Sequence, residues 1–287
     1  MTRFTATTID LSQLPAPDVI EALDEETVIA ALSDDMVARY PPIAGVIQLE
    51  SEPSRKLIEV FAGGDVQLRA RINDAARAVM LAFAVGDDLE HLGSFFGVTR
   101  MEGETDARLR RRIQLAPEAY ATTGSQGSYI YHALSADPGI LDATAMRSRP
   151  GYVDVYIIGN QPDPAPTAAQ LTAVRERLAD TSIKPLTDVV RVYPARVVNT
   201  TVAAKMVLYP GPDSALVRSA ALTALDRQLT ANRRIGVDLM RSSIISRLHQ
   251  DGVHSIILSS PETDIILDGT QVAHVTAVDV TVTGRDE

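Results

Sequence analysis

Cysteine is absent from this chain of 287 residues. That excludes disulfides, thiolate metal sites and cysteine nucleophiles, and it leaves the redox compartment open. Tryptophan is absent as well, and aromatic residues make up only 5%. A core must therefore be assembled mainly from Ala, Val, Ile and Leu. Lysine is scarce, with only Lys56, Lys184 and Lys205, so nearly all positive charge sits on arginine. The planar guanidinium fork suits protein interfaces, although a skewed genome composition gives the same ratio. No apolar run reaches the roughly 18 residues of a membrane span. Met1 to Ile9 lack a basic segment followed by an apolar stretch, so no secretory signal is expected. The expectation is a soluble protein made in the cytoplasm, with no membrane partner. Also missing are the phosphate-cradling Gly-x-x-x-x-Gly-Lys, a Gly-x-Gly-x-x-Gly after a strand, a His-Glu-x-x-His helix and a calcium loop. Neither a cofactor nor an enzymatic role is expected.

What is present reads as an ordinary globular protein, with 45% hydrophobic and 22% charged residues. The length suffices for one large domain or two to three small ones, each burying its own core. The net charge of −10 is unevenly placed. Residues 1–60 hold eleven acids (Asp10, Asp18, Glu21, Asp24, Glu25, Glu26, Asp34, Asp35, Glu50, Glu52, Glu59) against four bases (Arg3, Arg39, Arg55, Lys56), a net of −7. Such an arm repels phosphate, which argues against a nucleic-acid partner. It is either a solvated helix surface or a docking segment for a basic partner.

Along the chain, Ile9 to Asp18 reads as an extended arm because Pro15 and Pro17 disfavour helix. Val19 to Ala31 reads as a short acidic helix, and Tyr40-Pro41-Pro42 breaks the chain. The strongest helical periodicity follows, through Leu57, Val60, Phe61, Leu68, Ile72, Ala75, Ala76, Val79, Met80 and Phe83. Gly63 and Gly64 weaken it and predict a bend or break. Gly86-Asp87-Asp88 caps a shorter helix through Phe95, and a third helix covers Thr105 to Leu115. Within it, Arg108, Arg110, Arg111 and Arg112 form one basic turn, read as a charged face pairing with acidic neighbours, another subunit's acidic arm among them.

After Pro117 the texture becomes mixed. A helix from Ser128 to Ala136 precedes strands at Ile140–Met146 and Val153–Ile158, a proline-rich linker from Gly159 to Pro166, a helix capped by Thr167 and a strand at Val189–Tyr193. The last third repeats this with a strand from Val197 to Leu208 and a turn at Tyr209-Pro210-Gly211-Pro212. A helix capped by Asp213 or Ser214 then carries Leu216, Val217, Ala220, Ala221, Leu225 and Leu229 on one face. A helix at Ser242–His249 and strands at Val253–Leu258 and Val272–Val282 complete it. The fold class is α+β, mixed: a helical N-terminal region followed by two small α/β modules, divided as 1–120, 121–194 and 195–287. Ile130, Leu134 and Asp137 recur in spacing as Ile244, Leu248 and Asp251, each set before a strand. That echo is either an internal duplication or the common grammar of helix, turn and strand.

Three constellations invite chemistry. Ser125 lies between glycines, with His132 seven residues on, but a nucleophile elbow needs Gly-x-Ser-x-Gly after a strand, so a helix cap is the better reading. His249 and His254 flank a turn and, with Asp251 or Glu262, could hold a metal; scattered packing histidines are the commoner case. Asp264 and Asp268 could act as a carboxylate pair, yet they bound a short apolar stretch like loop residues.

Taken together, several segments resemble the baseplate assembly protein J family of contractile-tailed phages. They are Ile9–Val19, Leu49–Pro53, Asn73–Gly86, Asp88-Leu89 with Gly93, Arg108–Arg110, Arg112–Gln114, Gly124-Ser125, Tyr129–Asp137, Leu208–Pro212 and Asp251–Val253. One departure is the short Thr99–Thr105 connection, where relatives can carry an insertion. The resemblance implies a baseplate wedge subunit in paired copies, joined by a smaller tail protein of the protein I type. It further implies six wedges closing as a ring around the hub and spike, and a part in triggering contraction. An adaptor outside any tail, or a hydrolase using Ser125 and His132, are the rival readings. The candidate interface comprises Leu57, Phe61, Leu68, Ile72, Val79, Phe83, Arg108 and Arg111.

Overall fold

Glu52 and Pro53 start the longest helix. Glu52 caps it by accepting from the Ser54 amide, and Pro53 occupies the first turn, where a missing N–H costs nothing. A computed structural model describes residues 9–15, 17–120, 124–211 and 213–285 of the chain. In it, residues Ile9–Arg100 and Thr105–Arg110 make one compact unit, and Met101–Glu104 with the chain from Arg111 onward make another.

The first unit is helical. It holds α1 (Glu25–Arg39), α2 (Pro53–Ala78), α3 (Gly86–Ser94) and the first turn of α4 (Asp106–Ala119). The helix expected from Val19 instead starts at Glu25 and runs to Arg39, where Pro41 and Pro42 open a 3-10 turn. The expected extended arm contains a 3-10 turn at Leu11–Gln13, and its Ala16 lies outside the described residues. The break expected at Gly63-Gly64 does not occur. Ala62 is fully buried beside them, and α2 packs there with Ile58 against Ile29, Ile43 and Ile47. Tertiary packing outweighs the glycine cost. Conversely, α2 stops at Ala78, so Val79, Met80 and Phe83 leave the helix. The amides of Phe83 and Ala84 instead close a turn on the Met80 carbonyl. Asn73 is buried and clips the preceding arm, accepting from the Glu21 amide at 3.1 Å and donating to the Glu21 carbonyl at 2.9 Å.

The second unit contains two three-stranded sheets. Helix α5 (Gln126–Leu134) leads into β1 (Ile140–Arg149) and β2 (Tyr152–Gly159), then α6 (Ala168–Ala179) crosses to β3 (Val189–Pro194). The strand order is β1-β2-β3, with β1 antiparallel and β3 parallel to the central strand. Thr167 and Gln170 form a reciprocal capping box at the start of α6. The second sheet comprises β4 (Arg196–Leu208), β5 (Val253–Ser260) and β6 (Gln271–Arg285), in the order β5-β4-β6. Again one neighbour of the central strand is antiparallel and the other parallel. Helices α7 (Ser214–Ala231) and α8 (Arg241–Leu248) cover one face, where Val217, Leu225, Ile244 and Leu248 meet Val202, Ala204, Met206 and Leu208. Leu216, placed on that apolar face by periodicity, is instead exposed. The α+β class, with a helical region before α/β modules, is what forms.

All four outer strands have outward carbonyls occupied by side chains. On β1, Arg111 donates to Leu141 O at 3.1 Å and Gln126 to Ala145 O at 3.0 Å. Arg175 reaches Val192 O of β3 at 3.3 Å, Arg241 reaches Leu258 O of β5 at 3.0 Å, and Arg218 reaches Val280 O of β6 at 2.6 Å.

Candidate subunit interfaces

Helix α2 has two apolar faces, of which its unit covers one. Ile58 and Ala62 are buried, whereas Leu57, Phe61, Leu68 and Ile72 are between 51% and 69% exposed. Their spacing of four, seven and four residues puts them in one stripe along a helix that rises roughly 1.5 Å per residue. Val79 is also strongly exposed, and Phe83 is at 37%, but both sit beyond the helix. Large apolar residues on a helical stripe left in solvent make a candidate interaction surface.

The four arginines of α4 do not form one free basic turn. Arg110 donates to the carbonyls of Leu81 at 2.7 Å and Ala84 at 2.5 Å, closing the turn that follows α2. Arg111 pairs with the fully buried Asp142 and with Leu141 O. Arg112 is buried between Glu104 at 2.7 Å and the Ser135 hydroxyl at 3.1 Å. Arg108 is half-buried. The acidic neighbours of Arg111 and Arg112 therefore belong to this chain.

The residues weighed for chemistry hold local structure. Ser125 Oγ accepts from the Ser128 amide at 3.1 Å and donates to Glu118 at 3.0 Å, capping α5. His132 lies in the last turn of the same helix, and its buried Nδ1 has no partner. Burial, aided by nearby Arg177, pushes its pKa down to about 4. His249 Nε2 meets the His254 carbonyl at 3.3 Å rather than its ring. Asp264 accepts from the Arg241 amide at the start of α8, and Asp268 closes a turn on Thr270. The Thr270 hydrogen bonds hold the Asp268 carboxyl below its usual range.

The sequence reading passed over Asp142. It alternates with Ala143 and Ala145 in a strand where Thr144 does the same, and that polar alternation was the available signal. Besides Arg111, it accepts from the Ile235 amide at 2.9 Å, so one buried carboxylate ties α4, the first sheet and the α7–α8 connection together. Thr144 adds a hydrogen bond to Gly269 O at 2.8 Å, and Ile158, Ala195, Ile235 and Val272 pack into a shared core.

Comparison with known proteins gives three consecutive matches to family models. Residues 50–104 match the baseplate J-like N-terminal domain, 121–194 the baseplate J-like central domain and 200–281 the baseplate J-like protein C-terminal domain. Baseplate protein J of Escherichia phage P2 is 37% identical over 301 residues, covering 97% of this chain and 99% of that protein. A cryo-EM structure of the anti-feeding prophage baseplate, 6-fold symmetrised, aligns with a TM-score of 0.42 and 18% identity over 61% of this chain and 42% of that one. With three family matches in order and a relative alike from end to end, the chain belongs to the baseplate J-like family.

Proposed function

We propose that the chain is a structural subunit of a contractile-tail baseplate, located in the tail of the assembled particle and working through interfaces rather than a reaction. Family membership supports the coarse role, and the exposed stripe of α2 supports the mode of action. Leu57, Phe61, Leu68 and Ile72 form a ready face for a helix of another protein, the geometry of a bundle seam. Moving each such side chain out of water contributes about 1.5–3 kcal/mol. The partner in this reading is a smaller tail protein of the protein I type, which joins paired copies into a wedge. The α/β modules of neighbouring wedges then meet in a ring around the hub, an arrangement that closes by rotation. A ring whose interfaces have two stable packings could hold the baseplate before contraction and release it on host contact.

The test is co-expression with the neighbouring tail proteins. Ile72→Asp places a carboxylate at the C-terminal end of the stripe without touching the buried α1–α2 core. Loss of co-purification by at least about tenfold, with an unchanged melting curve, is expected for a seam in which a charge must be desolvated. Wild-type recovery of the partner by this variant would overturn the reading.

A further inference from the structure

Strand edges offer the first sheet little room to recruit a neighbour, because β1 and β3 carry side-chain caps on outward carbonyls. Its faces remain. The register pairs Asp154 with Met146 and Arg191, and Tyr156 with Thr144 and Tyr193, placing these residues on one face. The half of that face bearing Asp142 and Thr144 is engaged by the 235 and 269 turns. The other half carries a ladder of arginine and tyrosine that ends on Tyr156, which itself packs against the shared core. The Arg149 guanidinium stacks 3.6 Å above the Tyr152 ring, Arg191 lies 5.2 Å from the same ring and 5.8 Å from Tyr193, and Tyr193 stacks on Tyr156 at 5.6 Å. Asp154 locks Arg191 in place through two hydrogen bonds, at 2.7 and 2.9 Å. Arg149 is exposed and, among the described residues, makes no ion pair. Arg147, exposed on the other face of the same strand end, adds to the positive field. On this face two guanidiniums, Arg149 and Arg191, stand against Asp154, with Asp268 near Tyr156 at the engaged end, in a chain whose net charge is −10. Rigid tyrosines and preorganised arginines are the residue types that dominate protein–protein hot spots.

We infer that this ladder docks the acidic segment around α1 of a second copy of the chain, with Arg149 taking a carboxylate. Glu25, Glu26 and Asp34 are exposed and, among the described residues, form no ion pair, so they supply the complementary charge. Arg149 presents a planar fork already held flat by Tyr152, which favours bidentate carboxylate binding. The inference rests on the reading of the chain as a subunit that meets its own copies, and it assigns a surface separate from the α2 stripe.

Light scattering on the full chain across a concentration series, at low and at high salt, tests it. Wild type is expected to self-associate at low salt and to weaken at 0.5 M salt, about where the screening length falls below 5 Å. Arg149→Glu and the pair Glu25→Arg/Glu26→Arg should each weaken association at least about tenfold, with unchanged thermal melts. All three changes in one chain should restore it. A wild type that stays monomeric at low salt, single-surface variants that associate normally, or a combined variant no better than its parents would each overturn the contact. Binding of a duplex DNA probe that Arg149→Glu abolishes while self-association stays intact would also overturn it, in favour of a nucleic-acid surface. Because the tail-partner pull-down reads α2, Arg149→Glu should pass it, and the two readings can fail separately.

Discussion

A histidine held neutral illustrates how single residues set the conditions under which this fold is stable. His132 is pushed to about 4 by burial and by Arg177, against an ordinary value near 6.5. Between those values the unfolded chain binds a proton that the folded chain refuses, so stability must fall as pH drops through about 6.5 toward about 4. His132→Gln cannot titrate. Its melting temperature should therefore decline less than that of wild type over this window, while the curves run parallel above pH 7. Equal declines from pH 7 to 4 would show that His132 does not carry the effect. Tyr129 is shifted the other way: burial and the hydrogen bond to Asp188 at 2.6 Å raise its pKa, keeping the hydroxyl a donor.

At the scale of elements, the capped sheet edges have the clearest physical purpose. An outward row of carbonyls and amides is a template for strand addition. Here Arg175, Arg218, Arg241, Gln126 and Arg111 each occupy an edge carbonyl. Arg218→Ala frees Val280 O on β6, the longest strand, at 15 residues. Losing this half-buried hydrogen bond should cost about 1 kcal/mol of stability, whereas heat-induced aggregation should rise clearly in turbidity against temperature. Unaltered turbidity would argue that this guard is incidental. The two sheets also share one packing scheme. Helix α5 lies by β1 and α6 by β3, just as α8 lies by β5 and α7 by β6. The chain visits these positions in different orders, with the central strand second of three in the first sheet and first of three in the second. The echo between Ile130-Leu134-Asp137 and Ile244-Leu248-Asp251 thus marks a common helix–turn–strand unit set in permuted surroundings, which a plain tandem copy does not produce.

For the α/β unit as a whole, Asp142 is the residue through which the two sheets act together. Its oxygens take Arg111 from α4 and the Ile235 amide from the second module, both with the carboxylate fully buried. Removing one partner of a buried ion pair leaves the other uncompensated and typically costs about 3–5 kcal/mol. Asp142→Ala should therefore lose protection of the Ile235 amide in hydrogen exchange, while amides in the centre of β4 keep theirs. Asp142→Asn, which retains an acceptor, should sit between. Uniform loss across both sheets would mean that the residue supports general stability and not the junction.

Local rules in the sequence determined much of this protein. Thr167, Asp213 and Ser125 announce helix starts because capping needs only the next three residues, and the alternation from Ile140 to Ile158 announces a hairpin because side chains flip with period two. The apolar stripe of α2 was legible for the same reason. What periodicity could not say was which apolar face would be covered. Ile58 and Ala62 went inside, Leu57, Phe61, Leu68 and Ile72 stayed out, and the helix runs unbroken through the glycines at 63 and 64 because α1 packs beside Ala62. The basic run of α4 was equally visible, but its partners, Leu81 O, Asp142 and Glu104, lie 8 to 31 residues away along the chain. Charge and periodicity are properties of neighbours in sequence, whereas burial and pairing depend on segments that only the folded chain brings together.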